Sequence, residues 1–542
     1  MSYMADKHIS FIVCKSNEIA YQRLMTSLSK LIIPEGIQAD VITVAEEENR
    51  AKAYNIGMSE TTAKYKIYVD ENVEINDQYI IKKMLNLFQH DENVGIVGLS
   101  GAKVLPTSGI SFLAKKRIGK LIIDGELVCW GEVKSQYETV CSVDGYFIAT
   151  QYDIKWRDDL FFEKTYFDTA QCLEFKKSGY ESVVISQELS GCSYYPINME
   201  YSRNSQEKFL QEYSFMLYPK VLVMIPTFNR PHYFKLALES AINQRYKNLE
   251  IVVSDDSTDN LTTKLIKKYL YDTRIKYYKH ENFSAKDNWA WMRQYVKDTD
   301  CQYINWLMDD DVFHEDKIFK MMDYYLEYDN VALVTSHRQP IDKDGNFLQD
   351  IGATKRICNH DTIFSGDVIG KNILCNMLNF VGEPTTVLLK KEYLKNGDFG
   401  WTDLEGDYTA EDFPTYLYIL EKGDLAYITD TLSYFRLHDG QCQRNIGINV
   451  RSTLCWIIDI QYAFHQKLYI KTIEDYRQAV FRVVDVAVNL LRKTADAGIA
   501  NEDTELLWKK VIELLSELQQ NEGNGIAYEK TKDLSVLWGR FK

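Results

Sequence analysis

The sequence lacks the features that mark several large classes of protein. Its 542 residues include ten cysteines. None of these forms a C-x-x-C pair, which argues against a zinc site and for reduced thiols. Positive charge is not in excess, because 63 Lys and Arg face 78 Asp and Glu, for a net charge of −15. A protein that binds nucleic acid by neutralising phosphates is therefore excluded.

Long hydrophobic runs are also absent. No run approaches the roughly 20 residues needed to span a bilayer. The N-terminus shows no apolar segment behind a basic one, so a secretory signal is not expected. Hydrophobic residues make up 45% and charged residues 26%, which is typical of folded domains. We expect a cytoplasmic protein with no transmembrane segment.

Two strand-to-helix openings divide the chain. Each is a short apolar run that leads into a polar turn and then a helix, which is how a βαβ sheet begins. The first strands are predicted at 8–14 and 221–226, the helices at about 20–31 and 232–244, and the second strands at 39–44 and 250–254. The sequence therefore predicts two α/β domains.

After about residue 450 the pattern becomes helical. Apolar residues between Thr472 and Lys493 recur at the 3-4 spacing of one buried helix face. A second helix is predicted from about Asn501, ending before Gly523. We predict three domains, at 1–217, 218–449 and 450–542.

A cluster of acidic residues marks the second α/β domain. Asp309, Asp310 and Asp311 directly follow a strand-like run, so they should lie at a carboxyl edge of the sheet, where α/β proteins bind ligands. Oxygen-only ligands suit Mg²⁺ or Mn²⁺. The alternative is a solvated turn that caps the next helix.

Other polar residues are predicted at the same edge. Thr227, Asn229 and Arg230 follow the first strand, and Asp255 and Asp256 end the second. Their side chains could accept donors from a base or a ribose, or they could serve as local caps and turns.

Two further pairs follow along the chain. Glu411 and Asp412 open an apolar helix, where the helix dipole explains them, or where one acts as a general base for a sugar hydroxyl. Arg436 and His438 are two apart in a predicted strand and share one face. They are candidates for a diphosphate or metal contact.

In this order, the second half carries IPTFNR, SDDSTD, DDD, GEPT, ED and FRLH. The set resembles family 2 glycosyltransferases of the GT-A fold over about residues 219–440. The resemblance implies transfer of a sugar, with inversion, from a nucleotide diphosphate donor, with uridine as the default base, to a hydroxyl of a glycan or glycoprotein. It also implies Mn²⁺ or Mg²⁺. Relatives commonly read D-x-D-D, where this chain has Met308 first.

The resemblance also assigns roles to individual residues of this chain. It makes Asp412 the base, beside Glu411. The implied donor contacts are Thr227, Asn229, Arg230, Asp255, Asp256, Lys286, Asn288 and Arg436. The implied metal ligands are Asp309, Asp310, Asp311 and His438.

Residues 8–200 resemble a divergent GT-A domain. Asp168 matches the base position, and Asp70 or Glu71 would bind metal, because Asn72 stands where an aspartate is usual. This half could be a second active transferase acting in turn, a binding domain without catalysis, or a structural platform. We favour activity, because Asp70 and Asp168 are retained. The predicted fold is two tandem GT-A, Rossmann-like domains followed by an α-helical region.

Alternatives from other classes stay open. The chain could be a non-catalytic carbohydrate-binding or scaffold protein built on decayed GT-A domains. A nucleotidyltransferase would carry a Gly-rich basic loop, which PTFNRPH lacks. The C-terminal helices could form a homo-oligomer, dock on the inner face of the membrane, or pack on the second domain. The sequence does not specify the sugar or the acceptor.

Overall fold

The computed structural model describes residues 7–45, 49–160, 165–196, 201–394, 412–438 and 445–522. The chain forms two compact units, Met1–Tyr218 and Pro219–Lys542. Both combine β-sheets with helices, and the second ends in long helices. The predicted α/β architecture with a helical C-terminal region is confirmed.

The elements of the first unit alternate between strands and helices. Its strands are β1 (His8–Lys15), β2 (Gln38–Ala45), β3 (Tyr65–Asp70), β4 (Val73–Ile75), β5 (Val94–Gly98), β6 (Ser100–Ala102), β7 (Arg117–Ile123), β8 (Glu126–Gly131), β9 (Tyr137–Val140), β10 (Ser142–Val143), β11 (Phe147–Thr150), β12 (Glu181–Ile185) and β13 (Cys192–Tyr194). Its helices are α1 (Glu18–Leu28), α2 (Arg50–Ser59), α3 (Ile80–His90), α4 (Phe167–Lys177) and α5 (Arg203–Leu217).

These strands form a 7-stranded sheet in the order β2-β1-β3-β11-β5-β12-β9 and a 6-stranded sheet in which β8 joins β10-β6-β7-β13-β4. β1 pairs in parallel with β2 and β3, and its interior residues are buried, as a central parallel strand requires. The Asn17 side chain caps α1, accepting from the Ala20 amide at 3.0 Å. The 3-residue strand β4 and the end of β3 flank Glu71 and Asn72.

The second unit continues the numbering. Its strands are β14 (Val221–Thr227), β15 (Leu249–Asp255), β16 (Ile275–Lys279), β17 (Tyr303–Trp306), β18 (Val312–Phe313), β19 (Val331–Ile341), β20 (Thr362–Phe364), β21 (Leu388–Lys390) and β22 (Asp424–Arg436). Its helices are α6 (Pro231–Ile242), α7 (Leu261–Ile266), α8 (Ala285–Asp298), α9 (Lys317–Glu327), α10 (Gly366–Asn376), α11 (Asp412–Leu420), α12 (Ile446–His465), α13 (Ile473–Asp496) and α14 (Glu502–Glu522).

One 9-stranded sheet organises this unit, in the order β16-β15-β14-β17-β21-β19-β22-β18 with β20 beside β22. β14 to β17 pair in parallel, β21 is antiparallel to β17 and β19, and β22 is parallel to β19. The segments that follow β14, β15, β17 and β22 therefore lie at one edge of the sheet.

The C-terminal helices share a hydrophobic core with the α/β part of the second unit. The ring of Phe413 in α11 stacks on Trp456 in α12, with centroids 4.0 Å apart. The hydroxyl of Tyr469 donates to the Leu417 carbonyl at 2.5 Å. The domain boundary predicted at 449–450 falls inside α12, whose start the sequence pattern did not reveal. No helix in the described ranges is both long and apolar enough to cross a membrane.

Candidate functional site

Asp310 lies at the centre of a polar cluster on the carboxyl edge of the second unit. Its Oδ2 is 2.9 Å from Arg230 Nη1 and 3.0 Å from His438 Nε2. Arg230 comes from the loop after β14, whereas His438 lies just beyond β22. The structure thus brings three predicted site residues together from segments more than 70 positions apart in sequence.

The two neighbours of Asp310 are more deeply buried. Asp309 accepts from the Phe228 amide at 3.3 Å and lies 3.4 Å from Arg230, and burial raises its pKa to about 6. Asp311 accepts from the Arg436 amide at 3.0 Å, and burial raises its pKa well above the usual value. Asp311 therefore connects the end of β22 to the acidic segment, and its role as a metal ligand stays a prediction.

Arg436, the expected diphosphate contact, bonds mainly main-chain oxygens in the structure. Its Nε donates to the Asp310 carbonyl at 2.8 Å, and its Nη1 donates to the carbonyls of Asp342 at 3.0 Å and Lys343 at 3.3 Å. The residue is buried. These bonds direct the guanidinium to main-chain oxygens, so Arg436 positions the acidic segment.

The predicted nucleotide contacts form a second group at the same edge. Asp256 accepts from Asn288 Nδ2 at 3.0 Å, and its amide bonds the Thr227 carbonyl at 3.3 Å. Asn229 has a positive φ of 53° and exchanges bonds with Thr258, which joins the loops after β14 and β15.

Two members of this group have different surroundings. Asp255 is fully buried and accepts from the Tyr277 hydroxyl at 2.7 Å and the Ser257 amide at 2.8 Å. These bonds fix the loop that follows β15. Lys286 is exposed in the first turn of α8, beside the capping box that Ser284 and Asp287 form.

Asp412 begins α11, and Glu411 lies outside the described residues. Asn379 Nδ2 donates to Asp412 Oδ2 at 3.0 Å. Burial raises the pKa of the Asp412 carboxyl to about 6, and the charge of Glu383 adds to the effect.

Sequence reasoning missed the residues that hold this carboxylate. Arg338 in β19 is buried, and its Nε lies 2.5 Å from Glu383 Oε2. Its Nη2 donates to the Asn379 carbonyl at 3.3 Å, so it anchors the loop that carries Asn379. The motif GEPT was a signal for Glu383, whereas nothing in the local pattern pointed to Arg338.

The loop at 379–386 connects Asp412 to the acidic cluster. The Met308 amide donates to Thr385 Oγ1 at 3.1 Å, and Asn305 Nδ2 donates to the Thr385 carbonyl at 3.1 Å. The segment before Asp309 is thus bonded to the loop whose Asn379 holds Asp412.

The residues around Asp310 include the ligand types of a divalent cation, although within the described residues only Glu250, Asp300 and Cys301 already bring three such ligand atoms close together. Two carboxylates and one imidazole are ligand types that Mn²⁺ accepts, and carboxylates alone suit Mg²⁺. Arg230 now occupies the face of Asp310, but its side chain is 34% exposed and lies in a surface loop. If it turned toward solvent, a bound cation would have to replace its positive charge beside Asp309 and Asp310.

The first unit contains a cavity of about 260 Å³. Asp70, Asp144 and Asp168 line it, together with several tyrosine rings. Asp168 accepts from the amides of Gly145 at 2.9 Å and Thr169 at 2.7 Å, and burial raises its pKa to about 6. The structure thus brings the predicted base and the predicted metal ligand Asp70 into one pocket.

The surroundings of Asp70 do not fit a metal. Its Oδ1 accepts from both the amide and Nδ2 of Asn72, at 2.9 and 2.8 Å, and its Oδ2 is 3.3 Å from Arg50 Nη1. Glu71 is no substitute, because its carboxylate accepts from the amides of Ser16 and Asn17 at the start of α1. Asn72 therefore acts as a hydrogen-bond donor to Asp70.

Both units match known glycosyltransferase families. Residues 10–213 match the family described as "Glycosyltransferase like family". Residues 222–382 match "Glycosyl transferase family 2". The chain carries two glycosyltransferase domains in tandem. The predicted family resemblance is confirmed, and with it the fold class of two GT-A domains followed by helices.

The relatives of these glycosyltransferase domains are distant. An uncharacterized glycosyltransferase of Rickettsia bellii is 31% identical over 232 residues, or 42% of this chain and 31% of that protein. The Escherichia coli UDP-Glc:alpha-D-GlcNAc-diphosphoundecaprenol beta-1,3-glucosyltransferase WfaP is 28% identical over 242 residues, 42% of this chain and 80% of WfaP. The chain spans about a third of the length of its relatives from Rickettsia conorii, Rickettsia felis and Rickettsia bellii.

Among solved structures, Staphylococcus aureus TarS 1-349 in complex with UDP-GlcNAc is 15% identical. That similarity covers 57% of this chain and 93% of TarS 1-349, with a TM-score of 0.38. The family 2 match ends at residue 382, before Asp412 and His438. The placement of those two residues in the second glycosyltransferase domain rests on the contacts described above.

Proposed function

We propose that the second unit is a metal-dependent, inverting glycosyltransferase. It moves a hexose from a nucleotide diphosphate sugar, with UDP as the expected nucleotide, to a hydroxyl of a glycan or glycoprotein. The similarity to WfaP supports a UDP-sugar, because its name states UDP-Glc as donor. We further propose that the first unit is a second transferase, so that the chain adds two sugars in turn.

The connection between Asp412 and the acidic cluster carries this proposal. A general base needs a carboxylate whose pKa is near the working pH and whose position is fixed. Asp412 has a pKa raised to about 6 and is held by Asn379. The loop that holds it is bonded to the segment of Asp309 and Asp310. Acceptor and donor would thus meet between them.

Each group then has a defined task. Asp412 takes the proton of the acceptor hydroxyl as the new bond forms, which contributes about 10²- to 10⁴-fold in rate. Asp309, Asp310 and His438 would hold Mn²⁺ or Mg²⁺, which when bound stabilises the charge that develops on the leaving diphosphate. Attack from the face opposite the diphosphate inverts the anomeric configuration.

The nucleotide end is the group around Asp256. Its second oxygen is left to accept from a ribose or a base while Asn288 holds the first. Thr227 and Asn229 belong to the loop that would contact the nucleotide. Asp255 fixes the neighbouring loop through its bond to the Ser257 amide. Lys286 and Arg230 are the cations exposed enough to reach a phosphate.

The first unit has its own candidate base. Asp168 shares the cavity with Asp70, and its pKa is raised to about 6, like that of Asp412. Tyrosine rings in the lining, such as Tyr194 and Tyr201, offer faces on which a sugar ring packs.

The test is a nucleotide-release screen with the full chain, Mn²⁺ or Mg²⁺, and UDP-, GDP- and dTDP-sugars, with and without a diphosphoundecaprenol-linked sugar. We expect release from one donor to be lost in Asp310→Asn, and release from a second donor to be lost in Asp168→Asn. Asp311 is left intact, because its carboxylate is part of the fold. Binding of a donor without release under any condition would instead favour a carbohydrate-binding or scaffold protein.

A further inference from the structure

A second cavity, of about 570 Å³, lies where helix α8 packs beside the edge strand of the second unit's sheet. The edge strand is β16, in which Lys276 and Tyr278 are two apart, so their side chains share one face. On α8, Trp291, Tyr295 and Asp298 follow the i, i+4, i+7 spacing of one helix face. Strand and helix thus present these five side chains to the same pocket.

The pocket is separate from the acidic cluster around Asp310. Glu250, another lining residue, is the second residue of β15, whereas Asp255 is the last. The strand between them spans about 16 Å at roughly 3.3 Å per residue. Because β14 to β17 are parallel, Glu250 lies toward the amino edge of the sheet and the cluster lies at the carboxyl edge. A ligand in this pocket would occupy a place other than that of the nucleotide or the metal.

The aromatic rings of the pocket form one cluster. The centroid of the Trp291 ring lies 4.8 Å from that of Tyr278 and 5.5 Å from that of Tyr295. Tyr278 is 36% exposed, and the other two rings are half-buried. Rings that neighbours hold in place lose little freedom when a ligand packs on them. The cluster therefore offers a preformed apolar surface.

The charged groups beside these rings are already paired. Lys220 Nζ lies 2.7 Å from Glu250 Oε2 and 2.9 Å from Asp300 Oδ1. Although these two carboxylates come close enough to hold a metal ion, the Lys220 ammonium already bridges them. Lys276 Nζ lies 2.9 Å from the same Glu250 oxygen. Asp298 then leaves negative charge in excess, which disfavours an anionic ligand such as a phosphate.

A neutral ligand with many hydroxyl groups fits this combination. Gln294, Asp298 and Asp300 are exposed lining residues, and their amide and carboxylate oxygens accept hydrogen bonds from hydroxyls. A sugar ring carries such hydroxyls at its rim and C–H groups on its faces, so it can bond these oxygens while it covers an aromatic ring. The cavity volume also falls within the roughly 300–1,000 Å³ of ligand pockets.

We propose that this pocket is a glycan-binding site for a neutral sugar chain, apart from the donor and acceptor positions at the carboxyl edge. It holds a remote part of the glycan that the second unit extends. The identification of this chain with the acceptor rests on the proposed function. The preference for a neutral sugar chain rests on the lining of the pocket alone.

The test is isothermal titration calorimetry of the full chain, without donor or added cation. The neutral probes are laminarihexaose, cellohexaose, maltohexaose and chitohexaose, and the anionic probe is hexagalacturonate. We expect at least one neutral chain to bind more tightly than hexagalacturonate. If no neutral chain binds, or if hexagalacturonate binds more tightly than all of them, the proposal is wrong.

Two variants place the binding in this pocket. Tyr278→Ala should weaken it at least about fivefold, and Gln294→Ala at least about twofold, the losses expected for one aromatic contact and one hydrogen bond. Tyr271→Ala, on a tyrosine that is 84% exposed and outside the lining, is the matched control and should leave the affinity unchanged. Trp291 is not replaced, because its ring contacts His280, which bonds Ser254 in β15 beside the nucleotide group.

Near-UV circular dichroism separates lost binding from lost folding, and the exposed Gln294 keeps the test decisive if Tyr278→Ala does not fold. Affinities equal to that of the parent chain in the folded variants would overturn the assignment to this pocket. Because no donor is present, a failure to release nucleotide in the earlier screen would reject the transferase and leave this binding result standing.

Discussion

The two units place a similar carboxylate in the first turn of a helix but surround the strand-edge aspartate differently. Asp168 and Asp412 are both partly buried, and desolvation raises the pKa of each to about 6. Each strand-edge aspartate also faces an arginine. In the first unit Arg50 is 8% exposed, whereas Arg230 in the second is 34% exposed.

This difference shows which part of the site tolerates change. A base needs desolvation and one or two donors; for Asp168 these are the amide of Thr169 in its own helix and the amide of Gly145 in a turn between two strands. A cation site needs several ligands from distant segments, and any arginine that occupies the site must be able to move away. The first unit keeps the candidate base, Asp168. At the position of the cation site, Asn72 and Arg50 contact Asp70 instead.

The largest expected effect comes from replacing the two proposed bases one at a time, which tests whether Asp412 and Asp168 have the same role. Asp412→Asn should lower the second unit's transfer rate about 10²- to 10⁴-fold, because the amide cannot take the hydroxyl proton. Asp168→Asn should do the same to the first unit's product. Mass spectrometry of the glycan product resolves the two steps. Asp430→Asn, on an exposed aspartate, is the control. Undiminished turnover in Asp412→Asn would remove it as the base.

The arginines should differ in their effect on stability. Arg50→Met removes one partner of a buried pair and should destabilise the first unit by about 3 kcal/mol. Arg230→Met removes a partly exposed partner and should cost about 1 kcal/mol or less. Hydrogen exchange of peptides from each unit in the full chain measures the two separately. Equal losses would contradict the assignment of Arg50 as fixed and Arg230 as replaceable.

His438 belongs to the second unit's site alone. His438→Gln should weaken Mn²⁺ affinity at least about 10-fold, because it removes one of the three proposed ligands together with its bond to Asp310. The measurement is the Mn²⁺ dependence of nucleotide release. His465→Gln, in α12, provides a histidine control outside the site. An unchanged Mn²⁺ dependence would show that Asp309 and Asp310 bind the ion without it.

The smallest expected effect is on pH dependence. Since the Asp412 pKa is raised to about 6, kcat/KM of the second unit should fall as the pH drops below about 6 and level off above it. Asn379 donates to the charged form, so Asn379→Ala should raise the pKa and move this limb upward by less than about one pH unit. A downward movement would contradict the bond. Asn372→Ala, on the exposed side of α10, is the control.

Much of the fold followed from local pattern. The strand predicted at 221–226 is β14, Val221–Thr227, and the helix predicted from about Asn501 to before Gly523 is α14, Glu502–Glu522. These elements have continuous apolar runs or a regular 3-4 spacing. The second sheet of the first unit was missed, because its strands are short and include glycine and charged residues that carry no clear alternation.

The site was predictable where chemistry and sequence position coincide. Asp310 and His438 each follow a strand, and the structure brings them within 3.0 Å of each other, whereas Asp412 begins a helix and bonds Asn379. Arg338 and Arg50 were not predictable, because each acts on a residue from another element and the pairing exists only after folding. The roles of the individual site residues and the three-domain division stay predictions.

The stacking of Phe413 on Trp456 has a consequence for how this protein comes into being. Phe413 follows Asp412 directly, so the orientation of the proposed base depends on a ring from a helix that begins at residue 446. A nascent chain that has finished its sheet but not this helix would hold the acidic cluster without an aligned base. The second unit would therefore not transfer sugar from its donor until the ribosome had also synthesised the helix that begins at residue 446.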